Sequence, residues 1–137
     1  MDVLISVDME GVAGDGGATS VVVNDSHGPM DNLLGEQLDP RAEYLVGEPK
    51  PLDMVQEVTP ETGVVLFVGD HAAAGDPSGV LAHTYSGMFA DVRLNGRSVS
   101  EAELNGLMAA AEGVPVGLVT GDDVICAVCA TTPPALA

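Results

Sequence analysis

Four short apolar runs constrain this chain more than any other feature of it. Residues 3–7 (VLISV), 21–23 (VVV), 64–68 (VVLFV) and 116–120 (VGLVT) are near-continuously apolar and rich in β-branched side chains, the fourth weakened by Gly117. An alternating pattern marks strands with one wet face, whereas an unbroken one marks strands covered on both, as in a parallel sheet. Each run ends in a polar cluster: Asp8-Met9-Glu10-Gly11, Asn24-Asp25-Ser26-His27, Gly69-Asp70-His71 and Gly121-Asp122-Asp123. Polar groups gathered past the carboxyl ends of parallel strands are where open α/β sheets hold their ligands. The expected fold class is α/β.

Helical signals are fewer. Residues 100–112 predict the best helix, with Ser100 as N-cap, Glu103 completing a capping box, and Leu104, Leu107 and Met108 on one face. Gly113 ends it and Pro115 prevents its continuation. Residues 31–38 and 52–58 each have room for two helical turns. Asn95-Gly96 between residues 89–94 and 97–99 predicts a β-hairpin with a type I′ turn. Two places depart from a self-sufficient domain. The segment between Val7 and Ser20 is too Gly-rich for the crossover helix that parallel neighbours need, and the chain ends soon after its last buried-type strand. We therefore read residues 1–137 as a single, partial domain.

Charge narrows the function. The net charge is −17, from 21 Asp and Glu against four Lys and Arg (Arg41, Lys50, Arg93, Arg97). Four scattered cations build no phosphate-binding patch, which excludes nucleic acid, and the acidic excess repels an anionic membrane surface. The same excess attracts metal cations. With 46% apolar residues but only two Tyr, two Phe and no Trp, the core rests on aliphatic side chains. No stretch reaches the ~18 apolar residues of a membrane span, and the start lacks a basic, then apolar, leader pattern. The expected setting is cytoplasmic. Cys126 and Cys129 form one Cys-x-x-C unit, with no second Cys or His pair to complete a structural zinc site. A redox pair of this spacing should open a helix after a strand, and a poorly defined segment is expected there. We read the two as small buried apolar residues.

All three histidines sit in polar clusters that follow or closely trail a strand-like run: His27, His71 and His83. Asp8 and Glu10 stand two apart after the first run, and in extended chain such residues project to the same side. Hard carboxylate oxygens with imidazoles on one rim suit Zn²⁺, Mn²⁺ or Co²⁺, and a bridging carboxylate turns such a rim into a two-metal site. The plainer alternative is that Asp8 and Glu10 are solvated strand-end acids.

These residues also carry a resemblance. The chain resembles the zinc-dependent D-aminopeptidase family, self-compartmentalising peptidases linked to dipeptide-transport operons. The matching stretches are Ser6-Val7-Asp8-Met9-Glu10-Gly11, Val22-Val23-Asn24-Asp25-Ser26-His27, Pro49-Lys50-Pro51, Gly69-Asp70-His71-Ala72, Gly79-Val80-Leu81-Ala82-His83, and Val99-Ser100-Glu101 with Leu104-Asn105. Residues 115–123 fit as well, and the likeness runs to about Val124. It implies a three-layer αβα sandwich around a mostly parallel sheet, shortened by the first crossover segment and the C-terminal half. It implies two Zn²⁺ ions per chain bridged by Asp8, with Glu10 and His27 completing one ion's ligands and His71 and Glu101 the other's. His83 is then the catalytic residue, as nucleophile or base. Without the resemblance, Glu101 reads as a first-turn helix acid favoured by the macrodipole. Asp70 departs from the family, which often has an aromatic there.

The expected function is a metallo-aminopeptidase acting on short peptides such as D-Ala-D-Ala, working as a homo-oligomer. The D-preference comes only from the resemblance. The alternative is a metal-binding remnant without catalysis. A two-metal phosphoesterase is disfavoured because those enzymes usually carry Asp-x-His after the first strand. The glycines of residues 11–17 match neither a dinucleotide fingerprint nor a P-loop.

Overall fold

The computed structural model describes residues 1–7 and 18–132. Its elements in chain order are β1 (Asp2–Val7), β2 (Ser20–Asp25), β3 (Glu43–Leu45), β4 (Thr62–Asp70), β5 (Arg93–Leu94), β6 (Arg97–Ser98), α1 (Glu101–Ala111), β7 (Val116–Gly121) and α2 (Asp123–Thr131). The four apolar runs become β1, β2, β4 and β7, and β3 joins them in a five-stranded sheet of order β3-β2-β1-β4-β7. Every neighbouring pair in it is parallel. From β1 the chain moves outward through β2 to β3, then returns to β4 on the other side of β1. The strand order therefore reverses between β1 and β4, which opens a crevice at their carboxyl ends.

The sheet's two faces are covered unequally. On one face Leu4, Val65 and Phe67 pack with Ala102 and Ala109 of α1, Ile125 of α2, and Val55 and Val58. On the other, Ile5 and Val23 meet Leu33, Leu38 and Ala42 of the loop before β3, with Leu66 and Val68 at the margin. Among the described residues, the flanking layers are a pair of helices on one side and a loop over part of the other. Leu118, paired in register with Leu66, remains 45% exposed on the β7 edge.

α1 forms where its signals place it. The Ser100 hydroxyl accepts from the Glu103 N–H, the Glu103 carboxylate accepts from the Ser100 N–H, and Gly113 turns the chain away at φ +79°. Four expectations change. Residues 31–38 and 52–58 hold only single 3-10 turns, Gly35–Gln37 and Asp53–Val55, because Leu34 and Leu52 stand at their N-caps without a capping side chain. The hairpin has its type I′ turn, Asn95 and Gly96 both at positive φ, but spans two residues a side. Phe89 belongs to the preceding turn, its N–H donating to the Ser86 carbonyl. The segment after β7 is the helix α2, started by Asp122, whose carboxylate accepts from the Ile125 N–H at 2.8 Å. Cys126 and Cys129 therefore ride a helix. Cys126 is exposed rather than buried, while Cys129 packs partly buried against the core, which pushes its thiol up to about 11. No helix among the described residues is long and apolar enough to cross a membrane.

Candidate metal centre

The crevice at the reversal of strand order collects the chain's polar residues. His71 directly follows β4. The chain then loops outward and returns, pinned at its base by three bonds. The His83 N–H donates to the Ala72 carbonyl at 3.2 Å, the Ala74 N–H to Thr84 Oγ1 at 3.0 Å, and the fully buried Thr84 hydroxyl to the Val99 carbonyl at 3.1 Å. The return stacks the His83 ring on that of His71, centroids 4.0 Å apart and planes 15° from parallel. Glu101, the first residue of α1, lies beneath them, 6% exposed. Its Oε1 accepts the Tyr85 N–H at 2.7 Å and stands 3.7 Å from His71 Nε2 and 3.6 Å from His83 Nε2.

Hydrogen bonds decide which face each ring presents. His71 Nδ1 lies 3.1 Å from the Ala72 carbonyl and His83 Nδ1 2.7 Å from the Leu81 carbonyl. A carbonyl only accepts, so Nδ1 of each ring carries a hydrogen, and with zinc bound Nε2 is the nitrogen left to ligate. His27 is arranged likewise. The Asn32 amide donates its nitrogen to the Asp25 carboxylate and the His27 carbonyl, so its oxygen faces His27 Nδ1, at 3.2 Å. Asp25, fully buried, organises this loop by also accepting the N–H groups of Asn32 (2.6 Å) and Leu33 (2.7 Å).

His27, His71, His83 and Glu101 line one cleft of about 290 Å³, together with Glu48, Asp53, Met54 and Tyr85. No Lys or Arg lines it among the described residues. Lys50 points elsewhere, its ammonium donating to Asn24 Oδ1 (2.6 Å) and to the carbonyls of Asp25 (2.5 Å) and Leu45 (3.4 Å). Burial holds that ammonium's pKa below its ordinary value. Burial, then the charges of Glu101 and Glu48, raises that of the Asp53 carboxyl. The Tyr85 phenol is pushed up to about 12, chiefly by burial and then by Asp53.

The donor set suits a metal ion. The ligand atoms of His71, His83 and Glu101 all lie within 4.8 Å of one another. Tetrahedral zinc with bonds of ~2.0–2.2 Å holds its ligand atoms ~3.4 Å apart, so the 3.6 and 3.7 Å separations need to contract by only a few tenths of an ångström. Of the expected site residues, the structure brings together His71, His83 and Glu101; His27 lines the same cleft outside that trio. Asp8 and Glu10 lie outside the described residues. Glu48, Asp53 and Tyr85 were missed by sequence reasoning. No spacing marks them; the only signal was their nearness to Pro49-Lys50-Pro51 and to His83.

Comparison with known proteins shows the family. A sequence profile described as D-aminopeptidase, peptidase family M55, matches residues 13–136, and the chain belongs to that family. The match continues past Val124, where the sequence reading placed the end of the likeness, and takes in α2. A D-aminopeptidase of Bacillus subtilis (strain 168) is 41% identical over 107 residues, which is 78% of this chain and 39% of that protein. The solved structure described as the zinc-dependent D-aminopeptidase DppA from Bacillus subtilis, a self-compartmentalizing protease, superposes with a TM-score of 0.76 at 34% identity. It covers 90% of this chain, which spans only 57% of that one.

Proposed function

We propose that this chain is a zinc metallo-aminopeptidase that removes the N-terminal residue of short peptides, D-amino-acid peptides such as D-Ala-D-Ala among them. The observation that carries the reading is the gathering of the His71, His83 and Glu101 ligand atoms within 4.8 Å of one another at the reversal of strand order. In this reading Asp8 would be shared by two zinc ions, with Glu10 and His27 completing one ion's protein ligands and His71 and Glu101 the other's. Bound zinc supplies polarisation of the scissile carbonyl and a water of lowered pKa. His71 and Glu101 are held for ligation by the Ala72 carbonyl and the Tyr85 N–H. His83 is the more open ring, its side chain 36% exposed against 12% for His71, so peptide can reach its Nε2. That nitrogen takes a proton, or attacks directly, while Nδ1 stays bonded to the Leu81 carbonyl.

The acids Glu48, Asp53 and Glu101 favour the ammonium of a free peptide N-terminus over any anionic substrate. With Lys50 committed to three acceptors, the cleft offers no cationic side chain to a phosphate, which disfavours a phosphoesterase. We further propose self-association, supported by the partly covered sheet face and by the self-compartmentalizing relative, and an intracellular setting.

One purified sample tests the reading. Elemental analysis should give two zinc ions per chain, and the same sample should hydrolyse D-Ala-D-Ala. Zinc without hydrolysis would leave a metal-binding remnant of the family, and absence of zinc binding would remove the site.

A further inference from the structure

We propose that the Tyr85 phenol donates a hydrogen bond to the scissile carbonyl oxygen of the peptide and stabilises the negative charge that oxygen gains during attack. The inference rests on the aminopeptidase reading and gives it a further catalytic residue.

Tyr85 is tied to the candidate centre through its backbone, since its N–H donates to Glu101 Oε1 at 2.7 Å. Its φ of +58° is in the left-handed region, which a tyrosine rarely adopts and which recurs where a side chain is held for function. The direction of its hydroxyl follows from Asn105, which is fully buried one turn along α1. Asn105 Nδ2 lies 3.0 Å from the Glu101 carbonyl, 3.1 Å from Tyr85 Oη and 3.1 Å from Met54 Sδ. The Glu101 carbonyl only accepts, so this side of the Asn105 amide is its NH₂ group. Tyr85 Oη is therefore the acceptor in its bond with Asn105, and its own hydrogen remains unspent among the described residues.

That donor belongs to a residue lining the cleft that holds His71, His83 and Glu101. A peptide's terminal carboxylate is a poor partner beside Glu48, Asp53 and Glu101. A carbonyl oxygen is neutral on arrival and becomes negative only as the reaction proceeds, and an uncharged donor serves it well. As the nucleophile bonds to the carbonyl carbon, the C=O π pair moves onto oxygen, and Tyr85 strengthens its hydrogen bond without giving up its proton. With water as that nucleophile, its proton passes to His83 Nε2 as the new C–O bond forms; on collapse the pair returns, the C–N bond breaks, and His83 gives that proton to the leaving amine.

The test is Tyr85→Phe in the zinc-loaded full chain, which keeps the ring and the N–H to Glu101. The probes are a phosphinic isostere of D-Ala-D-Ala, whose tetrahedral P–O⁻ mimics the charged oxygen, and D-Ala-D-Ala itself. Removing one such donor should weaken isostere binding by calorimetry roughly 10-fold or more, and lower kcat roughly 10²-fold. KM and zinc content should stay unchanged. Equal isostere affinity in parent and variant would overturn the proposal and leave the aminopeptidase reading standing. Loss of zinc or of far-UV ellipticity in the variant would overturn it too, marking Tyr85 as structural. A zinc-loaded parent that binds no isostere would overturn both.

Discussion

Replacing Ser100 by alanine strikes stability and site together, because Ser100 caps the helix whose first residue is Glu101. The side chain, 1% exposed, plays two roles. Its oxygen accepts the Glu103 N–H at 3.3 Å, and its hydrogen goes to Glu103 Oε2 at 3.1 Å. Loss of an N-cap costs about 1 kcal/mol. The lost bond to Glu103, whose side chain is only 5% exposed, adds about 1–2 kcal/mol, since hydrogen bonds to charged groups are the stronger ones. The Arg97 contact with Glu103 survives and keeps that carboxylate from being left alone. The sum, about 2–3 kcal/mol, should lower Tm by roughly 6–12 °C for a chain of this size. Ser100→Gly separates the parts, because glycine at an N-cap costs only a few tenths of a kcal/mol and leaves chiefly the Glu103 loss. Calorimetric melts of both variants, with zinc content read alongside, make the measurement. If both stay within about 0.5 kcal/mol of the parent, the capping box does not anchor α1, and the account of how Glu101 is held fails.

Three further outcomes follow from the same structure. His83→Ala should lower D-Ala-D-Ala hydrolysis at least ~10²-fold with zinc retained, whereas His71→Ala should lose zinc and activity together; loss of zinc in both would make His83 a ligand rather than a base. Cys126, exposed, should be alkylated by iodoacetamide well before Cys129 at pH 8. Because the fold raises the Cys129 thiol from an ordinary 9.0 to about 11, its stabilising share is fully present below pH 9 and lost as pH rises through about 11. Between pH 9 and 10, below the range in which the raised Tyr85 phenol adds its own decline, Cys129→Ala should lose less stability than the parent, and an equal loss over that window would refute the assignment.

What the sequence made legible was local. Strands β1, β2, β4 and β7 and helix α1 could be read because each carries its signal within a few residues: an apolar run, or Ser100 with Glu103 three later. Residues 31–38 misled because the apolar spacing was present while the cap was missing and Gly35 sat in the middle. α2 was overlooked because its apolar stripe includes Cys129 and small residues, although Asp122 was a sound N-cap. In the site, the loop between His71 and His83 folds back, and the stacked rings are that return. What fixes it was invisible: Thr84 bonds to Val99, and Asn105 reaches Met54 across 51 positions of sequence. Contacts of that range have no spacing rule, so Tyr85, Glu48 and Asp53 could emerge only once the sheet had brought them to one cleft.

Zinc itself offers the most direct perturbation, because His71, His83 and Glu101 belong to different parts of the chain, and only the folded state gathers them. A ligand that binds the folded chain stabilises it by RT ln(1 + [L]/Kd), about 2.7 kcal/mol at a free concentration 100 times Kd. For this length that is roughly 8–11 °C in Tm per site, and two independent sites of equal affinity would give about twice that. The comparison is between chelator-treated protein and protein in buffered free zinc, melted at one chain concentration because self-association would also move Tm. If Asp8 bridges two ions, Asp8→Asn should remove most of the rise, whereas His27→Ala should leave the part owed to the ion at His71 and Glu101. A shift in the parent that Asp8→Asn leaves intact would end the bridging role. No shift at any zinc concentration would mean that the proposed ligands hold no ion.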